Sequence, residues 1–109
     1  MNVEEIREFA LSLENVTEGF PFGNNTLVFK VRGKIFLLMS LSSEIPSFNV
    51  KCDPERALEL REQYSSVIPG YHMNKKHWNT VMVDGQLTRR QIQEFIIHSY
   101  ELVRPGKRA

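Results

Sequence analysis

The sequence predicts an α+β domain of two layers, a mostly antiparallel sheet packed against helices. Three observations carry this. Residues 3–13 repeat their apolar side chains at helical spacing. The two runs flanking Arg32-Gly33 are rich in β-branched and aromatic residues. Thr88-Arg89-Arg90-Gln91 opens a long amphipathic segment near the end of the chain.

The first element is a helix. Val3, Ile6, Phe9, Ala10 and Leu13 form its apolar stripe, with Glu4, Glu5, Arg7, Glu8 and Ser12 between them. Asn2 suits the N-cap and Glu5 can complete a reciprocal cap, so the helix runs to about Leu13–Asn15. Gly19-Phe20-Pro21-Phe22-Gly23-Asn24-Asn25 is then a breaker-rich connection. Exposing both phenylalanines is costly, so at least one is expected to close an end of the core.

Thr26–Val31 and Lys34–Leu41 read as strands joined at Arg32-Gly33. In the first, Leu27, Phe29 and Val31 alternate with Val28, Lys30 and Arg32; the second is apolar on both faces and reads as an interior strand. Ser47–Lys51 is a third strand, with Phe48 and Val50 pointing one way. Asp53 (N-cap) and Pro54 (first turn) begin a second helix, whose apolar face is Ala57, Leu58, Leu60 and Tyr64. Pro69-Gly70 breaks the chain. His77–Val83 alternates as a strand, with Trp78, Thr80 and Met82 on one face and Asn79, Val81 and Val83 on the other. Asp84-Gly85 is a turn. The capping box at Thr88 and Gln91 starts the longest helix, with Ile92, Phe95, Ile96, Ser99, Tyr100 and Val103 buried. Residues 105–109 form a short basic tail.

The length of 109 residues fits a single domain spanning 1–109, with 41% hydrophobic and 25% charged residues typical of a soluble protein. Cys52 is the only cysteine, so no intrachain disulfide forms and a reducing compartment is expected. No basic n-region precedes an apolar core, and no apolar run approaches the ~20 residues needed to cross a bilayer. The expected location is the cytoplasm, without membrane association.

Net charge is only +1, which argues against strong nonspecific nucleic-acid binding by the whole molecule. Its distribution is uneven. Residues 1–18 carry five acids and one arginine, whereas residues 19–43 carry Lys30, Arg32 and Lys34 and no acid. Residues 63–83 carry Lys75 and Lys76 and again no acid. One basic side and one acidic side can result, although surface scatter gives the same totals.

Chemistry concentrates in Pro69–Val81, which holds two lysines, two of the three histidines and the only tryptophan. Such side chains grip phosphodiesters and stack on bases. Dinucleotide, Walker and nucleophile-elbow motifs are absent. His72 and His77 lack a standard ligand spacing, so no metal or other cofactor is expected. Cys52 precedes a helix N-terminus that can lower a thiol pKa, but no base is positioned beside it, and it reads as a small buried hydrophobe. The carboxylates read as solvated faces and caps, and no enzyme is indicated. Trp78 reads as core by its alternating position, while base stacking needs it or Tyr71 exposed. Asn79 can pin the preceding loop through backbone hydrogen bonds.

Pro21-Phe22-Gly23, then Val28-Phe29-Lys30-Val31 with Gly33-Lys34-Ile35-Phe36, then Met73-Asn74-Lys75-Lys76-His77-Trp78-Asn79-Thr80-Val81 and Asp84-Gly85, together resemble the MmcQ/YjbR family of small bacterial proteins. The resemblance runs from the first helix to Val103. It implies a CyaY-like fold with a twisted antiparallel sheet, and a DNA-binding role of double-wing type. The family positions present here are Lys30, Lys34, Asn74, Lys75, Lys76, His77, Trp78 and Asn79.

The resulting expectation is a non-enzymatic DNA-binding protein, a monomer or weak dimer. Lys30, Arg32, Lys34, Lys75 and Lys76 hold phosphates, with His77, Trp78 and Asn79 beside them. Arg89 and Arg90 add a helix N-terminus. The alternatives are a module that binds an acidic protein or a small anion, and a phrase that merely closes a loop over the core. Cations sharing one face favour DNA; cations pointing to different sides favour the alternatives.

Overall fold

The computed structural model describes residues 1–42, 44–70 and 73–104. The expectations for Tyr71, His72 and the basic tail lie outside those residues. The α+β reading holds. Helix α1 (Val3–Leu11) carries the reciprocal Asn2–Glu5 cap, with Asn2 Oδ1 accepting from the Glu5 N–H at 2.8 Å and Glu5 Oε1 from the Asn2 N–H at 3.0 Å. Strand β1 (Val16–Gly19) follows, and it was not legible as a strand. It has one apolar side chain and exists because its backbone pairs with β2.

Strands β2 (Thr26–Val31) and β3 (Lys34–Ser40) form the expected hairpin. Arg32 at φ 49° and Gly33 at φ 86° make its two-residue turn, the twist-compatible kind that needs two positive φ values. Arg32 is the non-glycine of the two, and an L-residue there costs about 1–2 kcal/mol.

The hairpin register carries a bulge: Phe29 faces Leu37 but Lys30 faces Ile35, leaving Phe36 as the extra residue. This accounts for a strand that looks apolar on both faces. Phe36 and Leu37, although adjacent, both enter the helix-side core. The bulge also interrupts pairing with β4 (Ser47–Lys51), whose ladder ends at Leu37–Val50. A buried hydroxyl fills the break. Ser99 Oγ donates to the Phe36 carbonyl at 2.6 Å and accepts from the Lys51 N–H at 2.8 Å.

Helix α2 (Pro54–Gln63) begins at Asp53 as expected, and β5 (Val67–Pro69) and β6 (Trp78–Met82) complete the sheet. Strand β5 is three residues long and was also missed. Among the described residues, six strands are antiparallel neighbours in the order β1-β2-β3-β4-β6-β5. Helix α3 (Arg89–Val103) carries the Thr88–Gln91 cap and packs across β3 and β4, while α1 lies against β1 and α2 against β5.

The core is the space between the helices and one sheet face. Ile6, Phe29, Leu37, Phe48, Val81 and Ile96 lie within it. Two expectations fail here. Phe20 and Phe22 are 48% and 66% exposed, so neither closes the core. Phe20 lies at the surface instead, lining a groove with Val3 and Arg7 of α1. Leu58 is 57% exposed, because α2 turns only Ala57, Leu60 and the adjoining Tyr64 toward the core.

Candidate nucleic-acid interface

Among the described residues, no helix covers the other face of the sheet. Strand alternation places Lys30 of β2, Leu38 of β3, Asn49 and Lys51 of β4, and Trp78 and Thr80 of β6 on it. Val28 and Leu38 are buried there yet belong to no helix-side cluster. Trp78 is half-buried and likewise does not pack against the core, which corrects its reading as core. It stands directly opposite Lys51 across the β4–β6 ladder.

Among the described residues no strand position on this face is a carboxylate; Glu18 is the one acid in their strands, and it sits in the register position of Phe29, on the helix side. There it meets Arg7 through two bonds, Nε to Oε1 at 2.8 Å and Nη2 to Oε2 at 2.6 Å. The pair pulls the Glu18 carboxyl below its ordinary value and raises Arg7. The open-face cations are Lys30 and Lys51, and neither forms an ion pair among the described residues.

Sheet order brings the predicted cations to one end of this face. The β2–β3 turn, the last residue of β4 and the start of β6 all lie at that end, since Lys51 pairs with Trp78 and the β3–β4 ladder runs out just before it. Arg32 and Lys34 flank the hairpin tip, and Lys75 and Lys76 occupy the turn before β6; all four are exposed. The two projections are separated by roughly 10–14 Å, two to three strand spacings.

The turn before β6 is held from within. Asn74 Oδ1 accepts from the Lys76 N–H at 2.9 Å, and the Asn74 carbonyl accepts from His77 N at 3.1 Å and Trp78 N at 2.9 Å. The His77 carbonyl accepts from Cys52 N at 2.7 Å. Arg61 reaches the turn from α2, donating to the Lys75 and Trp78 carbonyls and to Asn79 Oδ1. The backbone is thus pinned while both lysine side chains face solvent. His77 is half-buried beside them.

Three predicted site residues do not join this surface. Asn79 is 1% exposed and points to the helix side, where Arg61 Nε donates to it at 2.7 Å. Its anchoring role is real, but the partner is a side chain and not the loop backbone. Arg89 and Arg90 start α3 at the opposite end of the sheet. The helix reaches the hairpin end only at Ser99, roughly 15 Å further along its axis. Arg89 is also paired with Glu5 at 2.7 Å.

Cys52 is buried, and desolvation pushes its thiol up, opposing any lowering by the helix that follows. The backbone N–H of Asp53 donates to His98 Nε2 at 3.2 Å, so that nitrogen serves as an acceptor. Two contributors escaped sequence reasoning. Lys51 was recoverable, because it alternates with the inward Phe48 and Val50. Arg61 was not, since nothing in its helix marks a partner 18 residues away.

A two-layer α+β domain with an open sheet face, cationic at one end, is the class this geometry defines. The sequence model of the YjbR family matches residues 11–102, and the chain belongs to that family. An uncharacterised Escherichia coli O157:H7 protein, YbdF, is 40% identical over 103 residues, covering 94% of this chain and 84% of its own. Escherichia coli K12 YjbR, also uncharacterised, is 30% identical over 101 residues, covering 93% and 86%. Among solved structures, Deinococcus radiodurans DR2400, with a DUF419 domain, superposes with a TM-score of 0.91 at 36% identity, covering 99% of this chain and 82% of that one. A Pseudomonas syringae protein superposes at 0.84 with 25% identity, covering 95% and 100%.

Proposed function

We propose that this chain is a non-enzymatic DNA-binding protein that grips phosphates with two projections, the β2–β3 tip and the turn before β6. One observation carries the reading: the charged strand residues that alternate onto the open face and the charged residues of both projections are all cations, while Glu18, the one strand-borne carboxylate among the described residues, is paired with Arg7. A local field of one sign attracts a polyanion even when net charge is only +1. The cations span strands rather than converging on one cavity, which suits a chain of phosphates better than a single small anion. An acidic protein is the competing occupant. The lone, buried Cys52 suits a reducing cytoplasm.

Fluorescence anisotropy of labelled DNA at low and moderate salt tests this. If Lys30, Arg32, Lys34, Lys75 and Lys76 each neutralise one phosphate, log K falls with log salt at a slope of about −4 to −5 on duplex. Lys75→Ala/Lys76→Ala should weaken binding and flatten the slope by about 2. Arg90→Ala, at the far end, should change neither. No saturable binding at low salt would reject DNA and point to an acidic protein.

A further inference from the structure

We infer that the open sheet face takes single-stranded DNA in preference to duplex, with Phe20 and Trp78 as stacking platforms and Lys30 and Lys51 holding the phosphates between them. This rests on the nucleic-acid reading and narrows it.

Aromatic and cation are paired twice across the sheet. On the β6 side Trp78 faces Lys51 directly, and its indole N–H makes no hydrogen bond among the described residues. On the β1 side Phe20, 48% exposed, stands at the sheet edge, where it lines a groove with Pro21, Val28 and Lys30 on this face and another with Val3 and Arg7 on the helix side. Glu18 borders the same groove, but Arg7 neutralises its carboxylate. The row between the two pairs is apolar, with Ile35 and Leu38 on the open face of β3.

Alternating aromatic and cationic side chains on an exposed sheet are what an unpaired strand requires, because each base has a π-face to stack and each phosphate a charge to meet. Width excludes the same contacts with duplex. From β1 to β6 the face spans roughly 19 Å, whereas the major groove is about 12 Å wide and admits a helix or a two-stranded ribbon. Base faces in a duplex are also stacked on one another and closed to Phe20 and Trp78. At the centre of the face Thr80 Oγ1 donates to Asn49 Oδ1.

Trp78 is the only tryptophan, so its fluorescence reports the site without a label. The protein is titrated with an oligothymidine of about 12 nucleotides, within the usual span of such platforms. The same length of duplex and of oligouridine are run in parallel. The expected result is quenching by oligothymidine and at least about ten-fold weaker binding of duplex. Phe20→Ala, at an exposed position, should weaken oligothymidine by about five-fold or more and leave the salt slope unchanged. Lys51→Ala should flatten the slope by about 0.7. Trp78→Phe, which keeps an aromatic ring in the half-buried site, should retain most affinity, and Trp78→Leu should lose it.

Duplex bound as tightly as oligothymidine, or Phe20→Ala without effect, overturns the single-strand inference and leaves DNA binding standing. Oligouridine bound about ten-fold more tightly overturns the choice of DNA. No binding of any nucleic acid removes the underlying reading as well.

Discussion

Arg61 Nε lies 2.7 Å from Asn79 Oδ1, tying helix α2 to strand β6 beneath the cationic turn. The same guanidinium holds the Lys75 and Trp78 carbonyls, so one side chain sets where Lys75 and Lys76 emerge. Replacing Arg61 by leucine leaves the buried Asn79 Oδ1 without its donor and removes the Arg61 bond from the Lys75 carbonyl, while the Trp78 carbonyl keeps its bond from the Gly70 N–H. The expected loss is about 2–4 kcal/mol, read from urea unfolding. Arg61→Lys should recover only part of it, because an ammonium cannot reproduce the planar fork.

Gly70 is pressed against the same segment. A Cβ there would sit 2.9 Å from Trp78 Cβ and 3.0 Å from the Trp78 carbonyl oxygen. The Gly70 N–H also donates to that carbonyl at 2.8 Å, so the two backbones cannot separate without losing the bond. Gly70→Ala should destabilise by about 1–3 kcal/mol. Gly19→Ala meets nothing within 4 Å, and by reducing unfolded-chain entropy it should be neutral or stabilising by up to about 1 kcal/mol. Thermal unfolding of the two variants side by side checks the contrast.

Ser99 replaces a missing ladder bond at the Phe36 bulge. Ser99→Ala removes the bridge and leaves the Phe36 carbonyl and the Lys51 N–H unpaired. A cost of about 1–3 kcal/mol is expected. Amide hydrogen exchange should show Lys51 losing protection more than the other β4 amides.

Acid should weaken the fold through a small set of carboxylates. Glu18 is held below its ordinary value of 4.5 by its hydrogen bonds to Arg7, and Glu5 by its hydrogen bond to Arg89. Asp84 is lowered by the Ser66 hydroxyl. A depressed folded-state pKa means that the unfolded chain binds more protons in acid. Stability is therefore complete above the ordinary carboxylate range and is lost as pH falls through the lower folded values. Glu18→Gln should flatten the acid limb of a stability–pH curve and change little at pH 7 beyond the exposed ion pair itself.

Cys52 should react slowly with a thiol reagent at neutral pH, because burial both shields it and raises its pKa. Denaturant should accelerate labelling sharply. Fast labelling of the native protein would contradict its burial.

Local pattern made the helices and long strands legible. The Asn2 and Thr88 caps, the alternation through Thr26–Val31 and Ser47–Lys51, and the β2–β3 turn each depend on residues a few positions apart. Strands β1 and β5 were invisible because backbone pairing with a distant neighbour forms them, not side-chain alternation. Phe20 and Phe22 misled for a related reason: hydrophobicity predicts burial only where the fold supplies a covering surface.

The candidate site divides in the same way. Residue types alone marked Lys30, Arg32, Lys34, Lys75 and Lys76 as charges that must face water, since an unpaired ammonium or guanidinium is too costly to bury. Strand order then brought these two groups to one end of the open face and sent Arg89 and Arg90 to the other. It turned Asn79 inward to Arg61 and Trp78 outward beside Lys51. Periodicity says which residues share a face, but which face the helices cover depends on long-range packing, and packing energy has no local signature in the chain.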